Sequence, residues 1–83
     1  MKRRPHPLVS ALASIRQRQG LTQHTVAERA YLTPSLVGSW EAGWKTPQLP
    51  GLIAYADALG YELVLVPKQR FRAVADLDLR EAS

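Results

Sequence analysis

Apolar positions along the chain fall into four stretches at helical spacing and one run of a different kind. In the first stretch Leu8, Leu12 and Ile15 lie four and three residues apart, with Ala11 beside them. They form one apolar stripe on a helix that begins at Pro7, where a missing N–H costs nothing. Gly20 is placed to end that helix as a left-handed cap. Thr22 is a good N-cap for a second, short helix with Val26, Ala27 and Ala30 inward and His24, Glu28 and Arg29 outward. Thr33-Pro34 repeats the start signal, and Leu32, Leu36, Val37 and Trp40 are the core positions around a third helix that Gly43 stops. Trp44-Lys45-Thr46-Pro47 reads as a loop. Leu52, Ile53, Tyr55, Ala56 and Leu59 then predict a fourth helix, closed by Gly60.

After Gly60 the pattern changes. Residues 61–67 hold a short aliphatic run bounded by Gly and Pro, which predicts a strand. A lone strand in a helical chain needs partners for its backbone groups. The simplest partner is the same strand of a second copy, paired antiparallel through Leu63, Val64, Leu65 and Val66 about a two-fold axis. The alternative is that residues 70–80 fold back and pair within the chain. Residues 68–83 place Phe71, Val74 and Leu77 at threes among many charges, and read as a short helix, a second strand or a loose tail. The expected organisation is an N-terminal arm over 1–6, a helical domain over 7–60, a pairing strand over 61–67 and a tail over 68–83.

Eighty-three residues make one small domain, only marginally stable alone, so help from a second subunit is expected. Cysteine is absent, which excludes disulfides, thiolate metal sites and thiol catalysis and fits a reducing compartment. No apolar run approaches the roughly 20 residues that span a bilayer. A soluble, cytoplasmic protein without membrane association is expected.

Charge sharpens the picture. The net charge is +4, and it is uneven. Residues 1–56 carry seven Lys and Arg against two acidic residues, whereas residues 57–83 carry four against five. The basic part should meet a polyanion. His6 and His24 read as surface polar residues, and no His or carboxylate set has metal-ligand spacing. No nucleophile–base–acid set emerges, so neither an enzyme nor a cofactor is expected.

Two short helices joined by about four residues, the second with its own N-cap, form the helix-turn-helix unit. The order of residues says more. Leu21 to Ala30, opening "LTQ", is followed by Leu32 to Gly43, closing "WExG", with Ala27 at the close helix–helix contact and Val37 in the core. This stretch resembles the Cro/CI-like repressors, the XRE family, and the likeness runs without a gap from about Leu12 to Leu65. It implies a mainly α, lambda-repressor-like DNA-binding domain of four to five helices, with the C-terminal strand pairing across a dimer.

By that resemblance the third helix enters the major groove, and Thr33, Pro34, Ser35 and Ser39 lie where side chains meet bases, with Leu36 or Pro34 near thymine methyls. Gln23 matches a phosphate-binding residue that begins the second helix, and with Thr22 and His24 it presents that helix start to an anion. Trp44 and Lys45 are implied to lie near the sugar-phosphate backbone, and Arg16 and Glu41 to form an ion pair between the first and third helices. Trp44 has an equal alternative, packing on the fourth helix. Lys2, Arg3 and Arg4 either contact DNA or form a solvated start.

The chain departs from the family at two places. The turn position that is usually Gly is Tyr31, and a bulky residue is uncommon in a left-handed conformation. Positions 34 and 39, often Arg or Gln in the family, are Pro and Ser here. Direct readout should then be modest, aided by water and DNA shape. The expected function is sequence-specific binding of double-stranded DNA, at a palindromic operator, by a homodimeric repressor. The four helices followed by "LGYELVLVP" also resemble HipB-type antitoxins, so the alternative is an antitoxin that binds a toxin protein and regulates its own operon.

Overall fold

A computed structural model describes residues 3–68. Within them lie four helices: α1 (Pro7–Arg18), α2 (Gln23–Ala30), α3 (Pro34–Ala42) and α4 (Leu49–Ala58). The predicted caps are in place. Thr22 Oγ1 accepts from the Thr25 amide at 3.0 Å, and Thr33 Oγ1 from the Leu36 amide at 3.2 Å. His6 does the same for α1, its Nδ1 accepting from the Leu8 amide at 3.1 Å. Three helices close on a left-handed glycine, and the next amide reaches back five residues: Leu21 to the Arg16 carbonyl, Trp44 to Ser39 and Tyr61 to Ala56.

The α2–α3 turn closes the same way without glycine. Leu32 donates to the Ala27 carbonyl at 2.8 Å, and Tyr31 sits left-handed at φ 59, ψ 37. The turn is left-handed at a bulky residue, and Tyr31 carries the strain while 97% exposed.

The core gathers Val9, Leu12, Val26, Ala27, Val37, Trp40, Leu52, Tyr55, Ala56 and Leu59. Tyr55 stacks on Trp40 at 6.3 Å between centroids. Gly51 lets α4 approach: a Cβ there would stand 2.8 Å from Trp40 Cη2. Removing a buried side chain as large as Leu12 costs about 2–5 kcal/mol.

The stripe expected on α1 is rotated. Val9, Leu12 and Arg16 are its buried residues, whereas Leu8 and Ala11 are exposed and Ile15 is half-buried. Because α1 packs on both α3 and α4, its inward arc runs through a position that holds an arginine. Counting apolar residues alone misses that arc.

The strand expected over 61–67 has no ladder. Past Tyr61 the described segment makes no backbone–backbone hydrogen bond, and there is no strand among the described residues. A strand exists only by pairing, and no second extended segment lies beside this one among the described residues. Leu63 packs on the core, while Leu65 is fully exposed. The alternative, a fold-back of residues 70–80, lies outside the described residues, as does the tail from 69 onward.

Candidate nucleic-acid interface

Helices α2 and α3 each present a capped start, and their free donors differ. Thr22 takes the Thr25 amide with its side chain and the Val26 amide with its carbonyl. The Gln23 and His24 amides remain at the open end of α2. In α3, Pro34 has no N–H, and Thr33 takes the Leu36 and Val37 amides. Ser35 alone keeps a free amide there. Thr33, Pro34 and Ser35 are exposed, while Leu36 and Ser39 are half-buried. On the opposite side of α3, Val37 and Trp40 are buried. The helix is therefore gripped along one face and open along the other.

That grip is partly ionic. Arg16 Nε donates to Glu41 Oε2 at 2.9 Å, and Nη2 to Oε1 at 2.8 Å. Arg16 Nη1 also donates to the Leu21 carbonyl at 2.7 Å. The Tyr55 hydroxyl donates to Glu41 Oε2, and Gln23 Nε2 to Oε1 at 3.0 Å. One carboxylate thus joins all four helices, and no buried side-chain polar atom lacks a partner among the described residues. Burial alone would raise the Glu41 carboxyl. The bonds from Arg16, Tyr55 and Gln23, with the Arg16 charge, outweigh burial and hold it below its ordinary value. Burial, then the bond to Glu41, pushes the Tyr55 phenol well up. The bond to Glu41 raises Arg16.

The ion pair was legible as a family feature; Tyr55 and Gln23 as further partners of Glu41 were not. Nothing in their spacing marks them, because each comes from a different helix. Gly38 leaves room for Gln23, since a Cβ there would stand 3.3 Å from its Oε1.

The N-terminal arm meets the end of α3. The Arg3 guanidinium lies over the Trp44 ring, 4.0 Å from its centroid. The arm backbone comes closer still at Gly43, where a Cβ would stand 2.8 Å from Arg4 C and 3.0 Å from Pro5 N. Trp44 is 63% exposed; Lys45, next to it in the chain, and Arg4, whose backbone lies against Gly43, are exposed as well. His24 is also exposed, its Nε2 3.8 Å from Glu28.

A separate apolar groove of about 360 Å³ runs along Leu8, Leu49, Leu52, Ile53 and residues 63–65. Leu8, Leu49 and Ile53 are new to this surface. They sit on helices whose apolar residues read as core from spacing alone.

Among the described residues no group of three or more His, Asp or Glu is placed to hold a metal, and no helix is long and apolar enough to cross a membrane.

Four helices, with a tight left-handed turn between α2 and an outward-facing α3, define a helix-turn-helix domain. A helix-turn-helix family model matches residues 12–66. The chain belongs to that family, in its Cro/CI-like (XRE) form. It is also 34% identical over 77 residues, 92% of its length, to y4dL of Sinorhizobium fredii, named an uncharacterized HTH-type transcriptional regulator. The chain spans 39% of the length of that relative.

Proposed function

We propose that this chain acts as a homodimeric, sequence-specific DNA-binding transcriptional repressor. The observation that carries the reading is the two-sided α3: one face fixed by Val37, Trp40 and Glu41, the other offering Thr33, Pro34, Ser35 and Ser39 to a groove. Leu36, half-buried at the border, offers its edge to thymine methyls. The free amides at the start of α2, with Thr22, Gln23 and His24, take a backbone phosphate. Trp44, Lys45, Arg3 and Arg4 supply further backbone contacts, and the excess of basic residues before residue 57 supports the choice of partner. The name of the Sinorhizobium relative agrees with this reading.

The dimer rests on residues 63–66. Val64, Leu65 and Val66 are exposed apolar side chains on backbone that makes no backbone hydrogen bond to another described residue, and the groove beside them is apolar too. Exposed apolar surface of this kind marks an interface. Two copies joined here present two α3 helices to half-sites roughly 34 Å apart, which calls for a palindromic operator.

Gel-shift titration of the full chain against the inverted repeats upstream of its gene, with random duplex at the same salt as reference, tests the reading. Tighter binding to one repeat is expected. Ser35→Ala with Ser39→Ala should weaken that binding by about tenfold and leave binding to random duplex alone. Equal affinity for repeat and random DNA would sink the proposal.

A further inference from the structure

We propose that Trp44 is a positioning residue that acts through Arg3. Its ring holds the arm against the end of α3, so that Arg3, Arg4 and Lys45 meet the phosphate backbone of duplex DNA as one preassembled cationic group. This inference rests on the DNA-binding reading above and adds a device to it.

Two independent contacts carry it. The first is the stack: an Arg guanidinium 4.0 Å from the centroid of an indole, well within the range of a cation–π contact. The second is the backbone approach at Gly43, where the arm passes so close that any side chain would strike Arg4 and Pro5. A loose, solvated arm needs neither. Stacking uses the guanidinium's flat face and leaves the N–H groups at its edge free, so the group held by Trp44 still donates to a phosphate. Trp44 is exposed, so its large ring contributes little to the core. The last turn of α3 has no basic residue of its own. The arm brings cations to that end.

Holding the arm in advance matters because ordering chain termini on binding opposes association. Prior docking removes part of that cost. The residue that does the holding then affects affinity through Arg3, and the backbone contact proposed for Trp44 is made through the guanidinium that it holds.

Binding of the full chain to a 20-base-pair duplex of random sequence, followed against KCl concentration, tests this for Arg3→Gln, Trp44→Ala, Trp44→Phe and the Arg3→Gln/Trp44→Ala pair. Arg3→Gln should reduce the slope of log K against log salt by about 0.9, one phosphate contact. Trp44→Ala should weaken binding about two- to fivefold and flatten the same slope. Trp44→Phe, which keeps an aromatic face, should recover part of the loss. In the Arg3→Gln background, Trp44→Ala should change nothing further, and melting temperatures should stay at the parent value. Additive losses, or a loss that tracks a fall in melting temperature, would overturn the inference. So would a parent that binds while every variant matches it. A parent that fails to bind any duplex would instead sink the DNA-binding reading itself.

Discussion

Arg16 and Glu41, 25 residues apart in the chain, meet through two parallel N–H···O bonds with side chains only 10% and 9% exposed. This fork joins α1 to α3, and it lies behind the helix that faces outward.

Breaking the fork from one side leaves the other charge buried and unmatched. Glu41→Ala should cost about 3–5 kcal/mol, a large part of a small domain's stability. It removes the acceptor for Arg16, Tyr55 and Gln23 together. Replacing both partners, as in Arg16→Met/Glu41→Leu, should cost less than Glu41→Ala alone. Urea unfolding midpoints check the order. A double variant less stable than the single one would contradict it.

The same cluster sets a pH dependence. Glu41 is held below its ordinary value of 4.5, so its contribution is full above that value and fades as the pH falls through the lower folded value. Tyr55 behaves in the opposite sense. Its phenol is raised above the ordinary 10.0, so the unfolded chain ionises first and stability falls as the pH climbs past that point. Urea midpoints across the pH range should form a plateau with both flanks declining. Tyr55→Phe should soften the alkaline flank specifically; an unchanged flank would remove Tyr55 from its cause.

Tyr31 holds a left-handed conformation that glycine adopts freely. Its ring is almost wholly exposed, so little packing is lost with it. Tyr31→Gly should stabilise by about 0.5–1 kcal/mol, the relieved strain less glycine's greater unfolded-state entropy. Tyr31→Ala should give no such gain. Thermal melting decides, and a lower melting temperature for the glycine variant would show that the ring makes a stabilising contact.

Leu65→Lys puts a charge on the most exposed apolar side chain of the described residues. It should leave the fold of each chain intact and abolish the proposed dimer, as should Ile53→Lys in the adjoining groove. Sedimentation should give a monomer in both cases. An intact Leu65→Lys dimer would rule out pairing through residues 63–66.

Much of this was legible from residue order. Thr22, Thr33, Pro7, Gly20 and Gly43 mark helix ends by chemistry that is local, so they read directly. The rotated face of α1 did not read from periodicity, because a buried Arg16 needs Glu41 and the Leu21 carbonyl as partners, and apolar spacing points to neither. The Arg3–Trp44 stack was illegible for the same reason. Arm and loop appeared separately as candidate backbone contacts, and only folding joins them. Residues 61–67 are the opposite case: their apolar character was plain, but pairing is a property of two segments, and the described chain holds one.

Gly51 against Trp40 has a consequence for how this scaffold diversifies. The ring that seats α4 is on the inner side of the helix whose outer side carries Pro34, Ser35 and Ser39. Folding constraints and the proposed recognition surface thus fall on different letters of one nine-residue segment. If α3 reads DNA as proposed, randomising positions 34, 35 and 39 changes the reading face on an unchanged frame, while a single methyl group at position 51 strikes Trp40 and disturbs the frame itself.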